Sequence, residues 1–528
     1  MIADAIANYL DNIEEREFDA PFMALLRAHG FYDLHFLHGP FEFGKDFIAK
    51  RNEKSGTSQY AFQTKAGDIN LADWNLSRGQ IDLLRTNSLA HPSFDSKLPR
   101  RAAFVTTGRL VGGAPLAAQQ YAEHLAQLGE SGFGTWDMDT LIELMTNAPD
   151  SGLAGAASGA LLALLGKIDE GMVLDADIET YSRRWFDSED EKRLRLAPLE
   201  AAIIASKLRN KERLDLAAFV VLCLVRGAWA NPSRVEPPSD ASLVFSDVGR
   251  QLFRQYAGDL VARLTDEVIE PQRFIFGHNE PSATVTYPVR CSKTIEILGL
   301  FGLLESDMQS DASKVASLLA KFCDKNPGTT HPISDRWASS LIPASLLLRK
   351  TGHERTLTEL LKGVIKWVGD RYESGSFGLA DVPATPMEEV EHLLGSPFEH
   401  VALTKRMESY IATVVLDLTA TMEMSELYEL ARNEFLAVGA FPIVIEAPDS
   451  PSQCTGTALD LRCEVNMPYK DKWEPDDGWK VAPHHNRAPE NLYLDCIGRG
   501  WDLFAISSVL RDRHYVTSWR RWLKSKRN

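Results

Sequence analysis

The chain has 528 residues, 44% of them hydrophobic and 25% charged, which excludes a peptide hormone, a disulfide-stapled miniprotein and wholesale disorder and leaves room for about two to four domains at roughly 100–200 residues each. Its formal net charge of −16 argues against nucleic-acid binding through the whole surface. Yet Gly44–Arg109 carries eleven Lys and Arg against six Asp and Glu, and Ala505–Asn528 carries seven against one.

The acidic first residues lack the basic start of a secretory signal. Apolar positions Ile13, Phe18, Phe22, Leu25 and Leu26 recur at helical spacing over residues 7–29, with Gly30 as a stop and Pro21 as a start or a bend. Extended segments follow at Leu34–Leu37, Asp46–Lys50 and Tyr60–Lys65, with turns at Gly39-Pro40 and Lys54–Thr57. Residues 71–89 read as a helix with Leu76, Ile81 and Leu84 turned inward, and Ala102–Thr107 as a strand buried on both faces. A helix over 114–128, a strand at Phe133–Trp136 and a helix over 138–147 complete an α/β domain of order αβββαβαβα. Ala148–Gly152 bounds this domain, which spans 1–149.

From 150 to 440 the pattern is mainly α-helical. Helices are predicted at Leu161–Leu165, Pro198–Arg209, Asp215–Arg226, Lys293–Leu303, Lys314–Phe322, Trp337–Arg349, Thr356–Val368 and Lys405–Leu430. Paired helices of this length suit an irregular solenoid serving as a sensor or assembly domain, divided or decorated by the Pro-rich loop Asn231–Ser242. The third region, 441–528, is irregular to about 490, then helical at Leu503–Leu510 and Thr517–Lys526 on a basic end. The longest apolar stretches, Leu216–Val225 and Gly152–Gly166, fall short of the roughly 20 residues a bilayer crossing needs. No membrane span and a cytoplasmic location are expected. The six cysteines include no C-x-x-C pair and are expected as buried free thiols.

Asp46 opens one extended segment and Gln63-x-Lys65 closes another 17 positions on, room for a strand, a turn and a returning strand. Antiparallel pairing brings all three to one end of a sheet, and the two-residue period puts Gln63 and Lys65 on one face. A carboxylate, a carboxamide oxygen and an ammonium group so gathered suit metal-assisted phosphodiester cleavage. Asp46 and Gln63 offer hard oxygens to Mg2+, which retains waters, and the ion lowers the pKa of a bound water. Lys65 orients or deprotonates that water, or stabilises the pentacovalent transition state. The bare pattern equally fits a solvated strand end.

Residues 14–107, and more loosely those to 147, resemble the PD-(D/E)XK nuclease superfamily and, within it, the Mrr-like restriction endonucleases. Phe18-Asp19, Leu25-Leu26 and Gly30-Phe31 stand at the spacing of the family's first helix. Asp46 falls on its aspartate, Gln63 on its variable acid position and Lys65 on its lysine. The resemblance implies a restriction-endonuclease-like αβββαβ core with a mixed sheet and an endonuclease that hydrolyses DNA with Mg2+, Mn2+ being a substitute, in restriction or anti-phage defence. Asp19 replaces the usual helix glutamate, and Gln63 removes one negative charge. Glu42, four residues before Asp46, is either an auxiliary metal ligand that restores that charge or a solvated turn residue. Arg78 and Gln80 lie on the following helix, where the fold places groups facing substrate phosphates; surface positions are the plain reading.

Lys97, Arg100 and Arg101 are either a phosphate clamp or a solvated loop. The terminal Arg511, Arg513, Trp519, Arg520, Arg521, Trp522, Lys524, Lys526 and Arg527 either stack and neutralise a nucleic acid or dock the last helix through its tryptophans. His484-His485 lacks a third metal ligand at suitable spacing. With no G-x-x-x-x-G-K-[ST] motif, any ATPase belongs to a separate subunit. Cleavage of RNA by the same fold, and a non-catalytic module binding nucleic acid or protein, are the alternative functions. The partners expected are DNA, a second copy of the chain in a homo-oligomer, and a separate activating or sensor subunit.

Overall fold

The computed structural model describes residues 2–37, 46–54, 56–86, 91–95, 97–130, 132–154, 159–185, 191–229, 240–266, 268–271, 283–305, 309–373, 375–396, 403–442, 500–512, 514 and 516–524. The sequence pattern over 7–29 resolves into two helices, α1 (Ile2–Asn12) and α2 (Asp19–Ala28). Pro21 explains the break. In a continuous helix its missing N–H would forfeit a bond to residue 17, whereas as third residue of α2 it sits where the first turn has no intrahelical acceptor to meet. Gly30, at φ +81°, then turns the chain out of α2.

Five strands follow: β1 (Phe31–Phe36), β2 (Phe47–Glu53), β3 (Gly56–Lys65), β4 (Arg100–Thr106) and β5 (Phe133–Trp136). They lie in chain order in one mixed sheet, with β1, β2 and β3 antiparallel to their neighbours and β3, β4 and β5 parallel. β3 starts earlier than its apolar pattern suggests because the tight hairpin extends pairing from Phe47↔Phe62 to Glu53↔Gly56. The parallel pairs need crossovers, supplied by α3 (Leu71–Thr86) and α4 (Ala114–Gln127); α5 (Met138–Asn147) follows β5.

Alternation along the strands assigns the two faces. Phe22 of α2 meets Phe47, Phe62 and Trp136 edge-on at centroid distances of 5.3, 5.4 and 6.2 Å. On the opposite face Phe104 packs with Trp74 and Ile81 of α3 and Tyr121 of α4. β4 is buried from both sides, as its unbroken apolar run requires. Leu76 is not inward as its helix pattern suggests. It is 80% exposed, because Trp74, Ser77, Ile81 and Leu84 form the buried stripe of α3 and Leu76 lies about 200° around the axis from Trp74.

The chain divides into two compact units, residues 1–170 with 190–204, and 171–189 with 205–528. The second is helical. Glycines permit its closest helix contacts: a β-carbon on Gly299 would come 2.5 Å from the Ala344 nitrogen. The helix Gly500–Leu510 returns to the unit's interior, where Asp502 accepts from Trp229 at 2.7 Å and from Ser246 at 2.5 Å. Contacts across more than 250 positions join these helices in a shared core, unlike an open stack whose repeats touch only their neighbours. Cys223 and Cys291 are buried free thiols. No helix among the described residues is long and apolar enough to cross a membrane.

Candidate active site at the strand ends

Asp46 stands one residue before β2, held on both sides by the sheet. Its N–H donates to the Phe62 carbonyl at 2.9 Å, and its own carbonyl accepts from Leu37 at 2.8 Å. The carboxylate leans onto β3, where Oδ2 accepts from the Thr64 N–H at 2.7 Å and from the Thr64 hydroxyl at 3.1 Å. Oδ1 accepts no hydrogen bond from a described residue. Burial lifts the Asp46 carboxyl above its ordinary value; the two Thr64 bonds and the Lys65 ammonium pull it down, and Glu15 adds a further upward push.

Lys65 ends β3, at the carboxyl end of the parallel part of the sheet, where open α/β sheets gather ligands. Its ammonium donates to Glu15 Oε1 at 3.0 Å, and both side chains remain partly exposed. The backbone behind it is fixed. The Lys65 carbonyl accepts from Thr107 at 3.1 Å, and the Gly67 carbonyl accepts from the Thr106 hydroxyl at 2.6 Å. Gly108 passes so close that a β-carbon there would lie 2.2 Å from the Gly67 carbonyl carbon.

Gln63 follows the two-residue period onto the face covered by α3. Only 3% exposed, it donates through Nε2 to Gln80 Oε1. That bond leaves Gln63 Oε1 buried with no partner, an acceptor whose desolvation is uncompensated. Among the described residues no hydrogen bond joins Gln63 to Asp46 or Lys65. The structure thus couples Asp46, Lys65 and Glu15 electrostatically and pairs Gln63 with Gln80.

Glu15 is the site residue that sequence reasoning missed. It lies in the turn between α1 and α2, 50 positions from Lys65, and no local spacing announces that contact. Asp19 opens α2. Glu42 lies outside the described residues, as do Gly39-Pro40 and His484-His485. Arg78 is exposed on α3 with its guanidinium 5.4 Å from the Tyr121 ring centre.

Other sequence candidates have structural partners. Arg101 pairs with Glu53 at 3.0 Å, and Arg100 lies 4.9 Å from the Phe94 ring centre. Trp519 is buried and stacks on His514, while Trp522 packs edge-on to Phe504. These tryptophans dock the terminal helix Val516–Lys524, and Arg511 is buried against Glu296 at 3.0 Å.

Among the described residues no three His, Cys, Asp or Glu side chains are gathered as a metal-binding group. The oxygen donors at the site are the Asp46 and Glu15 carboxylates, with the orphaned Gln63 oxygen on the α3 face. Oxygen donors suit a hard divalent cation that keeps several waters. They do not suit zinc, whose structural sites use nitrogen and sulfur. No protein-family model, no curated protein and no solved structure matches the chain.

Proposed function

We propose that the first unit is a metal-dependent endonuclease of the PD-(D/E)XK type, Mrr-like, that hydrolyses DNA phosphodiester bonds in restriction or anti-phage defence. The observation that carries this reading is a half-engaged, partly buried Asp46 carboxylate within the electrostatic reach of the Lys65–Glu15 ion pair at the end of a parallel strand. Asp46 and Gln63, with Glu15, would hold Mg2+ or Mn2+. The ion supplies positive charge to the scissile phosphate and acidifies a water. Lys65, released from Glu15, holds the attacking water or the charge that develops on phosphate. Thr64 fixes one oxygen of Asp46 and leaves the other to face the site. Gln80 orients the Gln63 amide so that its oxygen, not its nitrogen, is unengaged, and Arg78 meets the substrate backbone.

The test uses the full chain with supercoiled plasmid and Mg2+ or Mn2+, beside single-stranded RNA as a competing substrate. Nicking of plasmid by the wild type and its loss in Lys65→Ala, with the circular dichroism spectrum retained, is the expected outcome. Cleavage that survives Lys65→Ala and removal of divalent metal would overturn the assignment. Cleavage of RNA alone would move the substrate class.

A further inference from the structure

A second polar site lies at the other end of the same strands. A cleft of about 520 Å³, within the usual range for small-molecule sites, is floored by Ala61, Leu84 and Ala102 and walled by Arg85, Arg100 and Gln59. Gln59 stands six residues before Lys65 on β3, so this cleft is about 20 Å from the candidate active site. The proposed active site does not use it, and Arg100 and Arg101, read from sequence as a phosphate clamp or a solvated loop, line it.

The Gln59 amide carries the argument. Gln59 is 2% exposed, and its Oε1 accepts from the Asp95 N–H at 2.9 Å. That bond settles which end of the amide is paired. Nε2 is therefore a buried donor, and it has no partner. A desolvated donor of this kind costs stability unless a ligand or water meets it. Beside it Arg100 lies across the Phe94 ring and donates to the Thr86 carbonyl at 3.1 Å. Arg85 is held by Tyr121 at 3.0 Å and pairs with two exposed carboxylates, Asp82 at 3.5 Å and Glu130. Glu130 is 57% exposed and lies just beyond the glycine turn at Gly129, whose φ is +78°. An exposed carboxylate on a buried guanidinium is readily exchanged for another anion.

We infer that this cleft binds a compact organic phosphate that also carries a carbonyl acceptor, its phosphate replacing Glu130 at Arg85 and reaching Arg100, and its carbonyl accepting from Gln59 Nε2. Guanidinium forks match phosphate oxygens in bidentate geometry, the apolar floor receives a small ring, and the volume suits a mononucleotide. Uridine 5′-monophosphate has both groups and serves as the probe, with inorganic phosphate as the control lacking the carbonyl.

Isothermal titration on the full chain, without divalent metal, tests the inference. The wild type is expected to bind uridine 5′-monophosphate saturably at one site and more tightly than inorganic phosphate. Glu130→Gln is expected to bind it about tenfold more tightly, because one of the two carboxylates that compete for Arg85 is gone and Asp82 alone remains. Arg100→Met and Gln59→Met are expected to weaken it about tenfold or more. Glu130→Gln alters an exposed side chain, so its readout does not depend on a fold-disrupting change. No saturable binding by either the wild type or Glu130→Gln, or equal affinity in Glu130→Gln and wild type, would overturn the site. Binding of inorganic phosphate as tight as that of the nucleotide would overturn the role of Gln59. Lys65→Ala is expected to leave this binding unchanged, which separates it from failure of the nuclease reading.

Discussion

Asp335 and Asp502 of the helical unit and Asp46 of the first unit meet their partners in opposite ways. In the helical unit Asp335 is fully buried and accepts from Arg406 at 2.9 Å, the Ser409 hydroxyl at 2.9 Å and the Ile411 N–H at 3.2 Å. Asp502 is likewise met by Trp229, Ser246 and Arg250, and His514 lies between Tyr410 at 2.9 Å and Asp417 at 2.7 Å. At the strand ends of the first unit, Asp46 has one oxygen engaged, Gln63 has a buried oxygen without a partner, and the Lys65–Glu15 pair is partly open to solvent. A buried charge surrounded by donors specifies packing and has nothing left to offer a ligand. A set left incomplete at the mouth of a sheet has that capacity. Hydrogen-bond completion, more than residue type, separates Asp335 and Asp502 from the strand-end set.

Substitutions can break this contrast from either side. Lys65→Ala should lower the plasmid-cleavage rate by about 10²–10⁴-fold, the usual contribution of a positioned proton-transfer or charge-stabilising group, with no change in the thermal midpoint beyond that of a surface ion pair. Asp335→Ala should do the reverse. Removing one member of a buried, hydrogen-bonded pair costs about 3–5 kcal/mol, so chemical denaturation should shift sharply, and if the helical unit unfolds separately the metal-binding response of the first unit should persist.

Thr64→Val sharpens the comparison within the site. The Thr64 hydroxyl favours the ionised Asp46, so its loss raises the Asp46 pKa further. Cleavage requires the carboxylate, and its rate therefore rises as pH rises through that value. The acidic limb of the pH–rate profile should move to higher pH in Thr64→Val while the alkaline limb stays in place. An unmoved acidic limb would show that Asp46 does not set it. The smallest effect belongs to Leu76→Lys, which should change stability by no more than about 0.5 kcal/mol because the side chain is exposed. A loss several times larger, read from urea midpoints, would show that Leu76 is covered.

Elements whose periodicity reflects their own burial were legible from residues alone. β5 and α5 cover the residues read for them, 133–136 and 138–147, and in the structure Asp137 caps α5, accepting from the Thr140 N–H at 3.2 Å. Where partner choice decides, local pattern falls short. The α1–α2 break depends on what Pro21 would have to pair with, the early start of β3 depends on β2, and the solvent-facing side of Leu76 depends on Trp74 claiming the core. The positions of Asp46, Gln63 and Lys65 relative to their strands followed from spacing. The place of Glu15 could not, because it reaches the site through tertiary packing, and Gln80, read from sequence as a group facing phosphate, accepts from Gln63 Nε2. The same holds for Trp519 and Trp522, whose alternation with basic residues suggests stacking on bases, while Trp519 is buried against His514 and Trp522, half-buried, packs on Phe504.

Burial raises the Asp46 pKa, so the ionised fold carries a cost. Stability from this group is present at low pH and is lost as pH rises from the ordinary aspartate value through the raised one. A divalent cation would reverse that cost, and Asp46→Asn would remove it in the absence of metal. Electron paramagnetic resonance titration of Mn2+ into the full chain at neutral pH, comparing wild type with Asp46→Asn, isolates this site. A saturable Mn2+ site in the wild type that disappears in a folded Asp46→Asn is the predicted result; equal Mn2+ binding by the two proteins, or none by either, would contradict it.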